Sequence, residues 1–305
     1  MGFDTAYESI SEESDSGHRW AFGTGFTDPL AGVDTSVPAG VDGADLAAYC
    51  LMLGDDALIM SHRLQQWLAR APELEEETAL ANIALDLLGQ ARLLLTRAGT
   101  ADGSKRTEDD YAFGRTEREF RNVRLAEVAD ADFAGLVARL LVFSTWRLAQ
   151  LARLQSSADP VLAAVAAQGV KEIAYHRDYA AQWVIRLGDG TDYSRQRMEA
   201  GLAAVAPLVA ELFAPSATEE RLAGVAVIPA QLRAEFDAVV AQVMAEARLD
   251  WPEVGWLDTT EGSGGSSPRA GAVGLFGRGG VHTEAMGYLL AEMQSVARAM
   301  PGATW

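Results

Sequence analysis

Between residues 80 and 95 the apolar side chains Leu80, Ile83, Ala84, Leu87, Leu88, Ala91, Leu94 and Leu95 recur at i, i+3, i+4 and i+7 spacing. That period gathers them into one stripe of an α-helix, and the stripe must be covered by other helices. The pattern extends over most of the chain after Gly43. It predicts a first helix over Leu46–Ala69 with Asp45 as its cap, and a second that starts beyond Pro72 and closes at Gly99. After a polar loop, short helical pieces are expected near 107–113 and 115–121, then a long helix over Asp132–Gln155. Asp159-Pro160 is a strong start, a capping Asp followed by Pro at the first helical position, for a helix reaching Leu187. Further helices are expected near 192–213, 230–248 and 284–299, with a Gly- and Ser-rich loop over 261–280. No alternation of Val, Ile and Thr suggests a sheet, so the fold class is all-α.

Residues 1–41 read differently. Glu8, Glu12, Glu13, Asp15, Asp28 and Asp34 stand against one base, Arg19, among scattered Gly and Ser. Such a segment buries too little to offset its ordering entropy. It is expected to be a disordered acidic extension, with a docked piece around Trp20–Phe22 at most, preceding one helical domain over 42–305. The whole chain carries 43 acidic and 25 basic side chains, a net charge of −18. Phosphate contacts need clustered bases, so no nucleic acid is expected as a partner, nor an anionic membrane surface. No run of 18 apolar residues predicts a membrane span, and the N-terminus lacks the basic and apolar regions of a secretory signal. A cytoplasmic protein is expected. The single cysteine, Cys50, excludes an intrachain disulfide and a Cys-based metal site, and its apolar setting suits the core.

Polar residues on apolar helix faces are the candidates for chemistry. In the second helix Leu87 and Gln90 occupy i, i+3 positions facing inward, while Asp86 points about 100° away. In the helix after Pro160, Glu172 and His176 are spaced i, i+4, with Ile173 between them. Asp55 and Asp56 lie within the first helix, where a buried carboxylate requires a partner. His176, Arg63 and Arg92 are candidates for that partner. Asp56, Gln90, Glu172 and His176 are expected to meet in one polar network. A lone His on an apolar helix is more often a satisfied core residue than a ligand. Glu75, Glu76 and Glu77 suit the positive end of their helix. There is no P-loop, no dinucleotide-binding glycine motif and no nucleophile elbow. His62 reads as a surface or interface residue, and His18 falls in the acidic extension.

Several longer motifs occur in order: Ala48-Tyr-Cys-Leu-Met-Leu-Gly-Asp-Asp-Ala-Leu, Leu80-Ala-Asn-Ile-Ala-Leu-Asp-Leu-Leu-Gly-Gln-Ala-Arg, Arg118-Glu-Phe-Arg-Asn, Lys171-Glu-Ile-Ala-Tyr-His and Gly287-Tyr-Leu-Leu-Ala-Glu-Met-Gln. From about Leu46 to Trp305 the chain resembles the PaaC family, components of the phenylacetyl-CoA epoxidases, which are multicomponent monooxygenases of phenylacetate degradation. The resemblance implies a ferritin-like helix bundle with additional C-terminal helices. It implies a complex that adds one oxygen atom of O₂ across the 1,2 bond of the phenyl ring of phenylacetyl-CoA. A homologous catalytic subunit would carry the di-iron site, and a reductase with FAD and an iron–sulfur centre would supply electrons from NADPH. This chain would bind no cofactor or metal itself and would act as a structural subunit. A di-iron bundle needs a Glu from each of two helices and a Glu-x-x-His pair from each of two others. By comparison with the catalytic family, Leu87 and Gln90 stand where such a pair belongs, Ile173 where a Glu belongs, and His176 persists. The first-helix ligand position falls at Ala57, beside Asp56. His282-Thr-Glu-Ala285 departs from the family's own His-Thr-Glu-His.

Two surface expectations follow. Trp146, Trp183, Trp251 and Trp256 could anchor a partner or fill the chain's own core. Arg118, Glu119, Phe120, Arg121 and Asn122 lie in a segment that also holds Arg115 and Arg124; it could touch CoA phosphates or form a solvated helix pair with bridges to Glu117 and Glu119. Phenylacetyl-CoA would then be met indirectly, through the complex. Two other readings remain: a metal-dependent oxygenase using Asp56, Glu172 and His176, and a helical module binding a small ligand inside the bundle.

Overall fold

In a computed structural model, which describes residues 30–252 and 276–303, the described residues are helices and their connections, with no strand. Four long helices dominate: α1 (Gly43–Gln65), α2 (Leu74–Ala101), α5 (Phe133–Leu154) and α6 (Pro160–Gly188). Between α2 and α5 lie two short helices, α3 (Glu108–Phe113) and α4 (Arg124–Glu127), separated by a 3₁₀ turn at Glu117–Glu119. Helix α1 packs along α2, and α5 along α6, each pair joined by a short turn. Helix α6 also touches α2, which closes the bundle. Two helical hairpins joined by one long connection is the connectivity of a ferritin-like bundle.

Local chemistry explains most of the boundaries. Asp42 caps α1, accepting from the backbone of Ala44 and Asp45 at 2.9 and 3.0 Å. Asp45, the expected cap, instead sits inside the first turn and pairs with Arg221. Asp159 caps α6 with Pro160 behind it, as the sequence predicts, and Asp132, expected as the start of the helix, is the cap of α5. The region expected to be one helix over 192–213 is α7 (Asp192–Val205) followed by a 3₁₀ stretch over Ala206–Phe213, with Pro207 at the change. A proline lacks the N–H that would continue the α-helical ladder. The last expected helix divides at Gln294 into α10 (Glu284–Met293) and α11 (Ser295–Ala299). Between these lie α8 (Ala217–Arg221) and α9 (Arg233–Ala247).

The core is the set of inward stripes. Leu80, Ile83, Leu87, Leu94 and Leu95 of α2 are buried, as are Cys50 and Ile59 of α1. Helix α2 and the stretch Asp192–Arg221 are each long and apolar enough to cross a membrane. In the fold, however, α2 lays its stripe on α1, and the second stretch is broken into separate elements.

The chain divides into two units, Met1–Gly32 and Val33–Trp305. The disorder expected over 1–41 falls mostly on residues outside those described, as do Trp20–Phe22, His18 and most of the loop expected over 261–280. Residues 33–41 belong to the second unit, where the carbonyls of Thr35 and Ser36 accept from Arg97 of α2.

Candidate functional site

Helices α2 and α6 are linked by two polar rungs, one helical turn apart on each helix. Gln90 donates through Nε2 to Glu172 at 2.9 Å. One turn away, His176 Nε2 lies 3.0 Å from Asp86. Gly169 permits the close approach, because a side chain there would press on the Gln90 amide and on Leu151. The Gln90 amide oxygen accepts from Arg147 of α5 at 3.3 Å. Gln90, His176 and Arg147 are almost fully buried, with Leu87 and Ile173 beside them at 0 % exposure.

The four residues expected in one polar network are divided between separate clusters. Gln90 and Glu172 meet. His176 does not join them; its partner is Asp86, whose side chain is only 37 % exposed and reaches back toward the seam. The 100° offset of Asp86 on α2 takes no account of the second helix packed beside that edge. Asp56 belongs to a different cluster. Its oxygens accept from Arg278 at 3.0 and 2.7 Å and from the backbone N–H of Val123 at 2.8 Å. Burial raises the Asp56 carboxyl above its ordinary value, against the opposing pull of Arg278 and Arg147.

The paired aspartates take partners other than His176, Arg63 and Arg92. Asp55 is held by Arg115 and by the backbone N–H of Arg121 at 2.8 Å. Arg63 instead donates to the carbonyls of Glu127 and Ala285 at 2.6 and 2.7 Å, and Arg92 pairs with Glu108. Adjacent aspartates on a helix point in different directions, so each captures a different crossing segment. Asp55 takes the Arg115–Arg121 connection, and Asp56 takes Val123 together with the Arg278 turn.

The segment Arg118-Glu-Phe-Arg-Asn is laced into this structure and is not a solvated helix pair. Phe120 and Asn122 are buried. The Arg115 guanidinium lies 4.1 Å over the Phe120 ring. Arg121 turns its guanidinium onto the carbonyls of Arg118 and Phe120 at 2.7 and 2.8 Å. Glu119 accepts from the Thr116 backbone at 2.8 Å. Arg124 pairs with Glu211 at 2.9 Å. Of the five residues singled out, Arg118 and Glu119 are exposed.

The turn after residue 275 completes the same end of the bundle. Gly277 donates to Glu211 at 3.0 Å, and any side chain there would overlap the Asn122 carbonyl. The His282 side chain is fully buried between two acceptors, Glu127 at 2.6 Å and the Phe120 carbonyl at 3.2 Å. Two acceptors require both ring nitrogens to carry protons, which describes an imidazolium. Burial opposes that charge, but Glu127 outweighs it and the His282 pKa is raised. Asn122 adds a bond to Glu127 at 2.8 Å. Arg147 and Arg278 give no signal in the sequence as members of these clusters, because their partners Gln90 and Asp56 lie on other helices far away in the chain.

As a metal centre the α2–α6 seam fits poorly. Leu87 and Ile173 have no donor atoms, the Gln90 amide is engaged on both sides, and a guanidinium stands beside it. Among the described residues no group of three His, Cys, Asp or Glu side chains converges. The residues present do not match the ligand set of a di-iron bundle. A cleft of about 480 Å³ borders α9 and is lined by Phe236, Met244, Leu249 and Trp251, with none of the seam residues. Of the expected tryptophan anchors, Trp146 is buried in the chain's own core. Trp183 is half-buried against Phe133, and Trp256 lies outside the described residues. His62 is half-buried.

Residues 34–305 match the family described as phenylacetic acid catabolic protein. The chain belongs to this family. It is also 41 % identical over 262 residues to the C-type subunit of the 1,2-phenylacetyl-CoA epoxidase of Escherichia coli strain K12, covering 85 % of this chain and 99 % of that relative. The family match begins at residue 34, beside the Thr35 and Ser36 carbonyls that Arg97 ties to α2. It extends through the Arg278 turn and the C-terminal helices, so the family's domain includes the segments that close the end of the bundle.

Proposed function

We propose that this chain is a structural, non-catalytic subunit of a phenylacetyl-CoA epoxidase in phenylacetate catabolism, a cytoplasmic partner of a homologous di-iron subunit. The observation that carries the reading is the state of Gln90. It occupies an inward position where a catalytic bundle would present imidazole, and it is held between Arg147 and Glu172. Likeness to the C-type subunit of the Escherichia coli enzyme supports the assignment to the complex. On this reading the di-iron site belongs to the partner, while FAD, the iron–sulfur centre and NADPH belong to the reductase. Phenylacetyl-CoA is met only in the assembly. What this chain contributes is a rigid bundle closed by internal ion pairs, a surface on which the catalytic subunit is held in its active arrangement.

Reconstitution tests the proposal. The chain with reductase, NADPH and phenylacetyl-CoA should give no epoxide, and a di-iron homologue added to it should give turnover lost again when this chain is omitted. Turnover by the chain without that homologue would overturn the reading.

A further inference from the structure

Two buried carboxylates, Asp56 and Glu219, lie within electrostatic reach of the one guanidinium of Arg278, and Arg147 is a second cation acting on Asp56. Asp56 faces Arg278, and Glu211 faces Arg124. Glu219, almost fully buried, forms no ion pair among the described residues; it accepts from the Ser216 backbone and lies within electrostatic reach of Arg278 and Asp56. The further cation is Arg147, which reaches Asp56 and Tyr49 of α1 electrostatically and Gln90 of α2 by hydrogen bond. Its own bonds are poor. The two it makes run to neutral amides, Gln150 at 3.4 Å and Gln90 at 3.3 Å, and its Nε finds no partner among the described residues. A guanidinium offers five donors, and burying one this weakly satisfied is costly. Packing alone does not account for an arginine there, since an apolar chain would fill the space without that cost.

We propose that the Arg147 guanidinium stands in for the metal cations of a di-iron bundle, supplying the positive charge that carboxylates near the bundle interior require. The position supports this. Arg147 bonds Gln90 on one side, and Gln90 bonds Glu172 on the other, so the guanidinium sits at the ring of side chains where ligands would converge. Arg278, the neighbouring cation, is already committed to Asp56 and to the carbonyls of Met52 and Arg121. The consequence is a bundle whose folding does not wait for iron, so the scaffold can form before its partner is loaded. This deepens the reading of the chain as a non-catalytic subunit and rests on it, but its test needs neither iron nor turnover.

The test compares Arg147→Met, Arg147→Lys, Asp56→Asn and the Met/Asn double variant in the full chain by urea unfolding at about pH 8 and about pH 5.5, spanning the range of raised carboxyl groups. Methionine keeps length without charge. Arg147→Met should lower the midpoint at the higher pH, and the deficit should narrow at the lower pH, where a proton on Asp56 or Glu219 cancels the excess negative charge. Lysine should restore most of the loss. The double variant should lose less than the sum of its single changes, because neutrality returns. A deficit that is equal at both pH values and unrelieved by lysine would mean that shape alone matters, and would overturn the proposal. Should Arg147→Met be unfolded at the higher pH, recovery of helix at the lower pH supports the proposal and absence of recovery overturns it. Either failure leaves the subunit assignment standing, whereas iron in the purified chain would remove that assignment whatever Arg147 does.

Discussion

Asp56 and Arg278 lie 222 positions apart and meet as a two-pronged ion pair, at 3.0 and 2.7 Å, with their side chains 0 and 7 % exposed. The pair ties the first long helix to the turn that precedes the C-terminal helices. Arg278→Ala leaves Asp56 buried without its main partner, and breaking such a pair from one side costs about 3–5 kcal/mol. Urea unfolding should show a loss of that order, together with earlier proteolysis in the 276–303 region. A loss under about 1 kcal/mol, the range of exposed pairs, would show that the turn is not anchored there.

Gly277 has no room for a side chain, since a methyl group would enter the Asn122 carbonyl. Gly277→Ala must displace backbone, and overpacking of this kind costs about 1–3 kcal/mol. Thermal unfolding should register it. An unchanged midpoint would mean that the turn moves freely.

His282 gives a pH dependence with a defined sign. Its folded pKa is raised, so its contribution to stability is fully present below the unfolded value, about 6.5, and is lost as pH rises through the folded value. The stability gap between the natural chain and His282→Phe should therefore be larger at about pH 5.5 than at about pH 9, on either side of the histidine range. A gap that grows with pH would show that the ring is neutral in the fold.

Much of this was legible in the sequence. The long helices follow from apolar spacing and from a cap such as Asp159-Pro160, which acts within a few residues. The α2–α6 contact through Gln90 and Glu172 was legible too, since both lie on inward faces. What was not legible depends on segments far apart in the chain. Asp55 and Asp56 announced buried partners, but Arg115 and Arg278 reach them through connections whose paths no local pattern encodes. Asp86 was misjudged because one helix's geometry cannot say which neighbour lies along its edge.

The Arg118–Asn122 segment is held by contacts within the chain. Arg118→Ala should leave the stability of the chain unchanged, because Arg118 makes its contact to Arg121 through the carbonyl and not the side chain. An unchanged apparent affinity of the assembled epoxidase for phenylacetyl-CoA is the result expected of a segment whose role is internal. A several-fold rise in KM would instead place the CoA phosphates at this exposed arginine.

The central claim, that this bundle is a scaffold and not an oxygenase, is most directly tested by the iron content of the folded chain purified alone from iron-replete cells. The expected result is iron far below one atom per chain, with full helical content. Iron at about one or two atoms per chain, the occupancy of a working bundle site, would contradict the claim and give Asp86, Glu172 and His176 the role of ligands.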